Sequence, residues 1–123
     1  MKRVGVVLMV SAAAVAWSAS FAHAQDKARI EQGAALFASQ KCTMCHAAAG
    51  KGNPKGALDN VVAKHKAEEI RQWIVDPEGM REKTHATRTP AMKPIKLSAD
   101  QVDALVAYIT SLKPATTAAD AEK

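Results

Sequence analysis

The chain contains two cysteines, and both lie in the run Cys42-Thr43-Met44-Cys45-His46. A Cys-x-x-Cys-His run is the attachment pattern of c-type haem, in which the thiols add to the vinyl groups and the histidine binds one face of the iron. The spacing puts the two thiols one turn apart, with the imidazole beside them. The sequence therefore predicts one covalent haem c, held by Cys42, Cys45 and His46.

Three other interpretations of the cysteine pair are open. A thioredoxin-like redox pair needs a βαβ pattern around it, whereas this pair follows a predicted helix. A zinc site needs two further ligands at a usual spacing, and His65 and His85 match that spacing poorly. An exported chain can also close the pair as a disulfide. The complete Cys-x-x-Cys-His pattern favours haem over all three.

Residues 1–24 have the pattern of a secretory signal peptide. Lys2 and Arg3 give a charged start, an uncharged apolar run follows to Trp17, and Ala22-His23-Ala24 is a small-x-small cleavage site. The apolar run is shorter than the roughly 20 residues that span a bilayer. We therefore expect an exported, periplasmic protein that has no membrane span after cleavage.

The basic excess of the chain is modest. There are 17 Lys and Arg against 12 Asp and Glu, a formal net charge of +5. Lys2 and Arg3 would leave with the signal peptide, and the propionates of a haem add negative charge. The remaining charge is too small to argue for nucleic-acid binding.

Residues 25–113 are long enough for one small domain, and residues 114–123 are predicted to be a disordered tail of alanine, threonine and charged residues. A domain of this size buries only part of its surface and often depends on a cofactor for stability. Its aromatic residues are only Phe37, Trp73 and Tyr108. We therefore expect the haem to fill much of the interior.

Apolar periodicity predicts an all-α fold with three main helices. The first helix is expected to begin at a cap on Asp26, with Gly33 and Phe37 on its apolar face. A middle helix over about residues 66–76 has no capping residue before Ala67, and Pro77 lies near its predicted end. Residues 47–60 and 77–96 are predicted to be loops by composition.

The last helix has the strongest start signal. Ser98 and Gln101 form a capping box, and Leu97 with Val102 can form a hydrophobic staple around it. An apolar stripe then continues to Leu112. Pro114 is expected to stop the helix.

This order of features resembles the class I cytochromes c, particularly small bacterial periplasmic members, over essentially all of residues 25–113. The resemblance rests on the following residues: Gly33, Phe37, Cys42 to His46, Trp73-Ile74, the loop Thr89-Pro90-Ala91-Met92-Lys93-Pro94, Leu105 and Tyr108. It implies a cytochrome c fold in which the N- and C-terminal helices cross at the glycine. Gly33 is then expected to contact Leu105 and Tyr108.

The resemblance also implies that Met92 is the second axial ligand, because the family's methionine lies in the loop before the last helix. Thioether with imidazole is a pairing that raises the haem potential. Met80, His65, His85 and an open iron are the alternatives. Met44 is inside the attachment motif and cannot reach the opposite face.

Two further groups are expected near the haem from the same resemblance. In the family, the backbone carbonyl that orients the histidine belongs to the proline of a Gly-Pro segment after the haem motif. The matching residues here are Gly56-Ala57, in which the alanine keeps the carbonyl, and Pro54 is the alternative. Trp73 has two open interpretations: its indole N–H holds a haem propionate, or its ring packs the middle helix onto the haem.

Two filled axial positions leave an iron that gains and loses one electron without binding substrate. The sequence therefore predicts a periplasmic electron carrier without catalysis of its own, a monomer that docks on acidic redox partners. Lys41, Lys51, Lys55 and Lys93 are candidates for steering that docking, although they also fit an ordinary solvated surface. The alternatives are a cytochrome subunit of a dehydrogenase or oxidase complex and, with a displaced Met92, a ligand-binding or peroxidatic haem protein.

Overall fold

The computed structural model describes residues 14–113, with side chains from residue 23 onward. Four helices carry the fold: α1 (Ala14–Ser39), α2 (Ala67–Val75), α3 (Pro77–Thr84) and α4 (Ala99–Ser111). Two short antiparallel strands, β1 (Ala47–Ala48) and β2 (Lys51–Gly52), form a hairpin after the haem motif. The predicted tail, residues 114–123, and the first half of the predicted signal peptide lie outside the described residues.

The fold is mostly helical, as expected, although α1 begins earlier than predicted. Asp26 lies within the helix, so the prediction that it caps the N-terminus is wrong. Alanines and other helix-compatible residues precede Asp26 and let the hydrogen-bonded ladder continue. None of the helices within the described part of the chain is long and apolar enough to cross a membrane.

Helices α1 and α4 pack against each other more extensively than any other pair of elements. A Cβ atom at Gly33 would overlap the backbone carbonyl of Ala104 and would lie 2.6 Å from Cβ of Tyr108. The predicted crossing at Gly33 is therefore confirmed, but its backbone contact is Ala104. Leu105 instead points into the core, where it is 2 % exposed.

The start of α4 matches the prediction from the sequence. The Ser98 hydroxyl accepts from the backbone N–H of Gln101 (3.3 Å), and the Gln101 side chain accepts from the backbone N–H of Ser98 (2.9 Å). Helix α2 has a partial version of this arrangement, because a Glu69 carboxylate oxygen accepts from the backbone N–H of Lys66 (3.2 Å). This bond stabilises the start of α2, where the N-cap residue Lys66 makes no capping hydrogen bond with its own side chain.

Helix α3 occupies part of the segment predicted to be a loop. Asp76 caps it by accepting from the backbone N–H of Gly79 (3.0 Å), and Pro77 occupies the first helical position. Proline is favoured there because its missing N–H would have no partner in the helix. Pro77 therefore begins α3 directly after α2. The prediction of a loop is wrong for residues 77–84.

The core lies between the crossing helices and α2. Phe37 and Tyr108 meet edge to face there, with ring centroids 5.7 Å apart. An ion pair between Arg71 and Asp103 ties α2 to α4. The buried apolar cluster consists of Phe37, Ala48, Ile70, Ile74, Val102, Leu105, Ile109 and Leu112. Helices α1, α2 and α4 supply every member of this cluster except Ala48 and Leu112.

Candidate cofactor site

The cysteine motif forms a single tight turn directly after α1. Lys41 adopts a left-handed conformation (φ 59°) that ends the helix, and Cys42–Met44 forms one turn of 3₁₀ helix. The Cys42 carbonyl accepts from the backbone N–H of both Cys45 (3.1 Å) and His46 (2.9 Å). The two cysteines are not joined to each other as a disulfide, and burial raises the pKa of the Cys42 thiol. The turn thus brings two cysteine side chains and an imidazole together.

His46 is oriented by a hydrogen bond to the backbone. Its Nδ1 lies 3.1 Å from the carbonyl oxygen of Gly56. Because a carbonyl only accepts, Nδ1 carries the proton and Nε2 keeps a lone pair for a metal. The acceptor is therefore Gly56, one residue before the expected Ala57, and not Pro54.

The surroundings of His46 favour the neutral imidazole. Burial lowers its pKa, the bond to Gly56 opposes this effect, and the positive charge of Arg88 lowers the pKa further. A neutral imidazole is the form that binds a metal ion. The site is therefore prepared for ligation at neutral pH.

Arg88 contacts the same turn from a distant part of the chain. Its Nη2 donates a hydrogen bond to the carbonyl oxygen of Cys45 (2.6 Å). Gly56 is buried against this guanidinium, and a Cβ on Gly56 would overlap Nη1 of Arg88 and the Cys45 carbonyl. Sequence reasoning missed Arg88, because no local pattern connects it to a residue 43 positions earlier.

Asp59 is a second residue that sequence reasoning missed. It is the one buried charged side chain in the described part of the chain, at 8 % exposure. Its carboxylate accepts from the backbone N–H of Ala49 (2.7 Å), a residue with a positive φ of 50°. Asp59 therefore secures the hairpin that follows the haem motif.

Two neighbouring cavities, of about 440 and 590 Å³, open beside this turn. They share the lining residues Cys42, His46, Trp73, Ala86, Met92 and Ile95. The wall of the first is largely apolar and includes Phe37, Leu58, Val61, Ile70, Ile74, Leu105 and Ile109. Size, apolar lining and the convergence of a thiol, an imidazole and a thioether fit a haem macrocycle.

The alternative axial ligands lie in different surroundings. Met80 is buried in α3 at 6 % exposure and lines neither cavity, and His85 is exposed at the end of α3. Met44 lines the second cavity but is 69 % exposed. His65 lines the first cavity, with its Nδ1 3.6 Å from a carboxylate oxygen of Glu69.

Trp73 is half-buried and lines both cavities. This position suits both interpretations of the residue, packing on the macrocycle and donation to a propionate. Across the described residues, no group of three or more His, Cys, Asp and Glu side chains is arranged to hold a metal ion. The zinc interpretation therefore lacks a ligand set there.

No carboxylate lines the second cavity. Four positive side chains line it: Lys41, Arg81, Arg88 and Lys93. The two arginines donate to backbone carbonyls, Arg81 to Ala86 (3.3 Å) and Arg88 to Cys45. Of the four lysines proposed for docking, Lys41 and Lys93 lie at this cavity. Lys51 and Lys55 are exposed and line neither cavity.

Comparison with protein families identifies a match over most of the chain. The model of a family described as Cytochrome c matches residues 30–113. Neither a curated protein nor a solved structure matches the chain. The matched range begins in α1, includes the turn and both cavities, and ends just after α4.

Proposed function

Because the chain belongs to the cytochrome c family, whose members bind haem covalently through two cysteines and transfer electrons, we propose that it is a periplasmic one-electron carrier. Cys42 and Cys45 would hold the haem covalently, and His46 and Met92 would be the two protein ligands of its iron. The haem supplies reversible one-electron chemistry. The chain's own residues would bind it, exclude water and supply both protein ligands.

One observation carries the ligand assignment: His46 and Met92 line both cavities together with Cys42. Nε2 of His46 is left free by the bond from Nδ1 to Gly56. Pro90 and Pro94 flank the Met92 segment, and proline restricts the backbone that must hold the thioether. Histidine with methionine favours the reduced state of a haem.

The positive charge around the second cavity suits docking of an acidic redox partner at this opening. Lys41 and Lys93 are exposed beside it, and Met44, 69 % exposed, gives an apolar contact at the same opening. We call these three residues the docking surface. A partner with an acidic patch around its own redox centre is the complementary surface, and the attraction accelerates encounter at low salt.

The test is an optical spectrum of the matured, reduced protein before and after carbon monoxide. The wild-type spectrum is expected to stay unchanged, because both axial positions are filled. Met92→Ala should keep the covalent haem but bind carbon monoxide and show a lower midpoint potential. Met80→Ala is the matched control, since Met80 lines neither cavity, and it should remain inert to carbon monoxide.

Three outcomes contradict parts of the proposal. A wild-type protein that binds carbon monoxide has an accessible iron, which favours a ligand-binding or peroxidatic haem with His65 at the cavity wall. A Met92→Ala protein that keeps its potential and stays inert removes Met92 from the iron. Covalent haem that persists after Cys42 and Cys45 are both replaced by alanine would refute the attachment itself.

A further inference from the structure

Arg88 joins the two segments that would supply the axial ligands. It lies four residues before Met92 and donates to the carbonyl of Cys45, the residue directly before His46. The donor–acceptor distance of 2.6 Å is short even for a charge-assisted bond. A single side chain therefore connects the methionine loop to the turn that holds the histidine.

The guanidinium also lies against the group that orients His46. Any side chain on Gly56 would overlap Arg88 and the Cys45 carbonyl, so the glycine allows the two to meet. The carbonyl of the same glycine accepts from Nδ1 of His46. Arg88 thus touches both supports of the imidazole, the preceding backbone and the hydrogen-bond acceptor.

The charge of Arg88 has no carboxylate partner among the ion pairs of residues 23–113. Reduction adds one negative charge to the haem site, and an uncompensated positive charge nearby stabilises that state. Arg88 is exposed, so solvent and salt weaken this effect without removing it.

We propose that Arg88 is a positioning residue that holds His46 and the Met92 segment in register and raises the haem potential through its charge. The inference rests on the proposed ligation by His46 and Met92. The planar guanidinium presents several donors in a fixed fork, which lets it bond Cys45 while both of its terminal nitrogens lie beside Gly56. A lysine keeps the charge but offers a single ammonium, so it cannot do both.

The experiment compares Arg88→Met, Arg88→Lys and Arg81→Met in the mature haem protein. Arg81→Met is the matched control, because Arg81 also lines the second cavity and donates to a carbonyl, but to that of Ala86. The measurements are the midpoint potential and the affinity of the oxidised protein for imidazole, which competes with Met92. Circular dichroism checks that each variant is folded.

Arg88→Met is expected to bind imidazole at least about tenfold more tightly than wild type and to have a lower potential than Arg81→Met. Arg88→Lys should recover the potential but not the resistance to imidazole. The inference is overturned if Arg88→Met matches Arg81→Met in both measurements, or if Arg88→Lys resists imidazole as wild type does. A wild-type protein that binds carbon monoxide refutes the Met92 ligation and this inference together.

Discussion

At the scale of single residues, Asp59 shows how a buried charge is stabilised by one backbone donor. Its carboxylate is 8 % exposed and accepts from the backbone N–H of Ala49. Ala49 has a positive φ, a conformation that a non-glycine residue adopts only when its surroundings hold it there. The bond therefore holds the hairpin after the haem motif in a conformation that alanine does not favour by itself.

Asp59→Ala is expected to lower the free energy of unfolding by about 1–3 kcal/mol, because the part-buried hydrogen bond between the Asp59 carboxylate and the backbone N–H of Ala49 is lost. Asp59→Asn is the matched control, since its amide oxygen can still accept, and it should lose less. Denaturant unfolding of the reduced haem protein measures both. Equal stability of Asp59→Ala and wild type would mean that water replaces the carboxylate at no cost.

At the scale of helices, the α1–α4 crossing depends on the missing side chain of Gly33. A Cβ at this position would overlap the backbone of Ala104, which cannot move aside as a flexible side chain would. Glycine normally costs a helix about 1 kcal/mol relative to alanine. Close packing thus retains a residue that helix propensity disfavours.

Gly33→Ala should therefore destabilise the protein by about 1–3 kcal/mol through overpacking, although it improves helix propensity. Ala35→Gly, at an exposed position of the same helix, measures the difference in helix propensity between alanine and glycine without the effect of overpacking. Thermal unfolding of the two variants gives the comparison. A stabilised Gly33→Ala protein would show that the helices separate at little cost.

Helix boundaries depend on different kinds of information. The capping box at Ser98 is local, and the sequence predicts it correctly because donor and acceptor lie three residues apart. The Asp76 cap and Pro77 also form a local start signal, but Pro77 follows α2 directly and has the pattern of a helix stop as well. Proline ends one helix and begins the next equally well, so composition alone cannot separate these two roles.

At the scale of the whole molecule, charge is distributed unevenly around the cavity. Lys41 and Lys93 lie at the second cavity, whose lining includes no carboxylate, whereas Lys51 and Lys55 lie away from both cavities. An electron partner that approaches the cavity meets the first pair. Association with an acidic surface should therefore depend on where the lysines lie as well as on total charge.

Lys41→Glu with Lys93→Glu should slow electron exchange at a carboxylate-coated electrode by about tenfold or more at low salt. The control, Lys51→Glu with Lys55→Glu, has the same net charge and should slow it less. Voltammetry at low and high ionic strength makes the measurement, and the difference should shrink as salt screens the charges. Equal slowing by both pairs would show that net charge alone governs docking.

By itself, the sequence determined the features that depend on neighbouring residues. The spacing of Cys42, Cys45 and His46 specifies a haem attachment turn, periodicity specifies helices, and Ser98 specifies where the last one begins. Each follows from interactions within one or two turns of the chain, which residue order encodes directly.

Only the tertiary structure decided which distant groups meet. The bond from Arg88 to Cys45, the selection of Gly56 as the acceptor for His46, and the meeting of Gly33 with Ala104 all join separate segments. Met92 and His46 reach the same cavities because α1, α2 and α4 pack around them. These contacts depend on packing of the complete chain, since burial and close approach are properties of the folded molecule that no local pattern of residues contains.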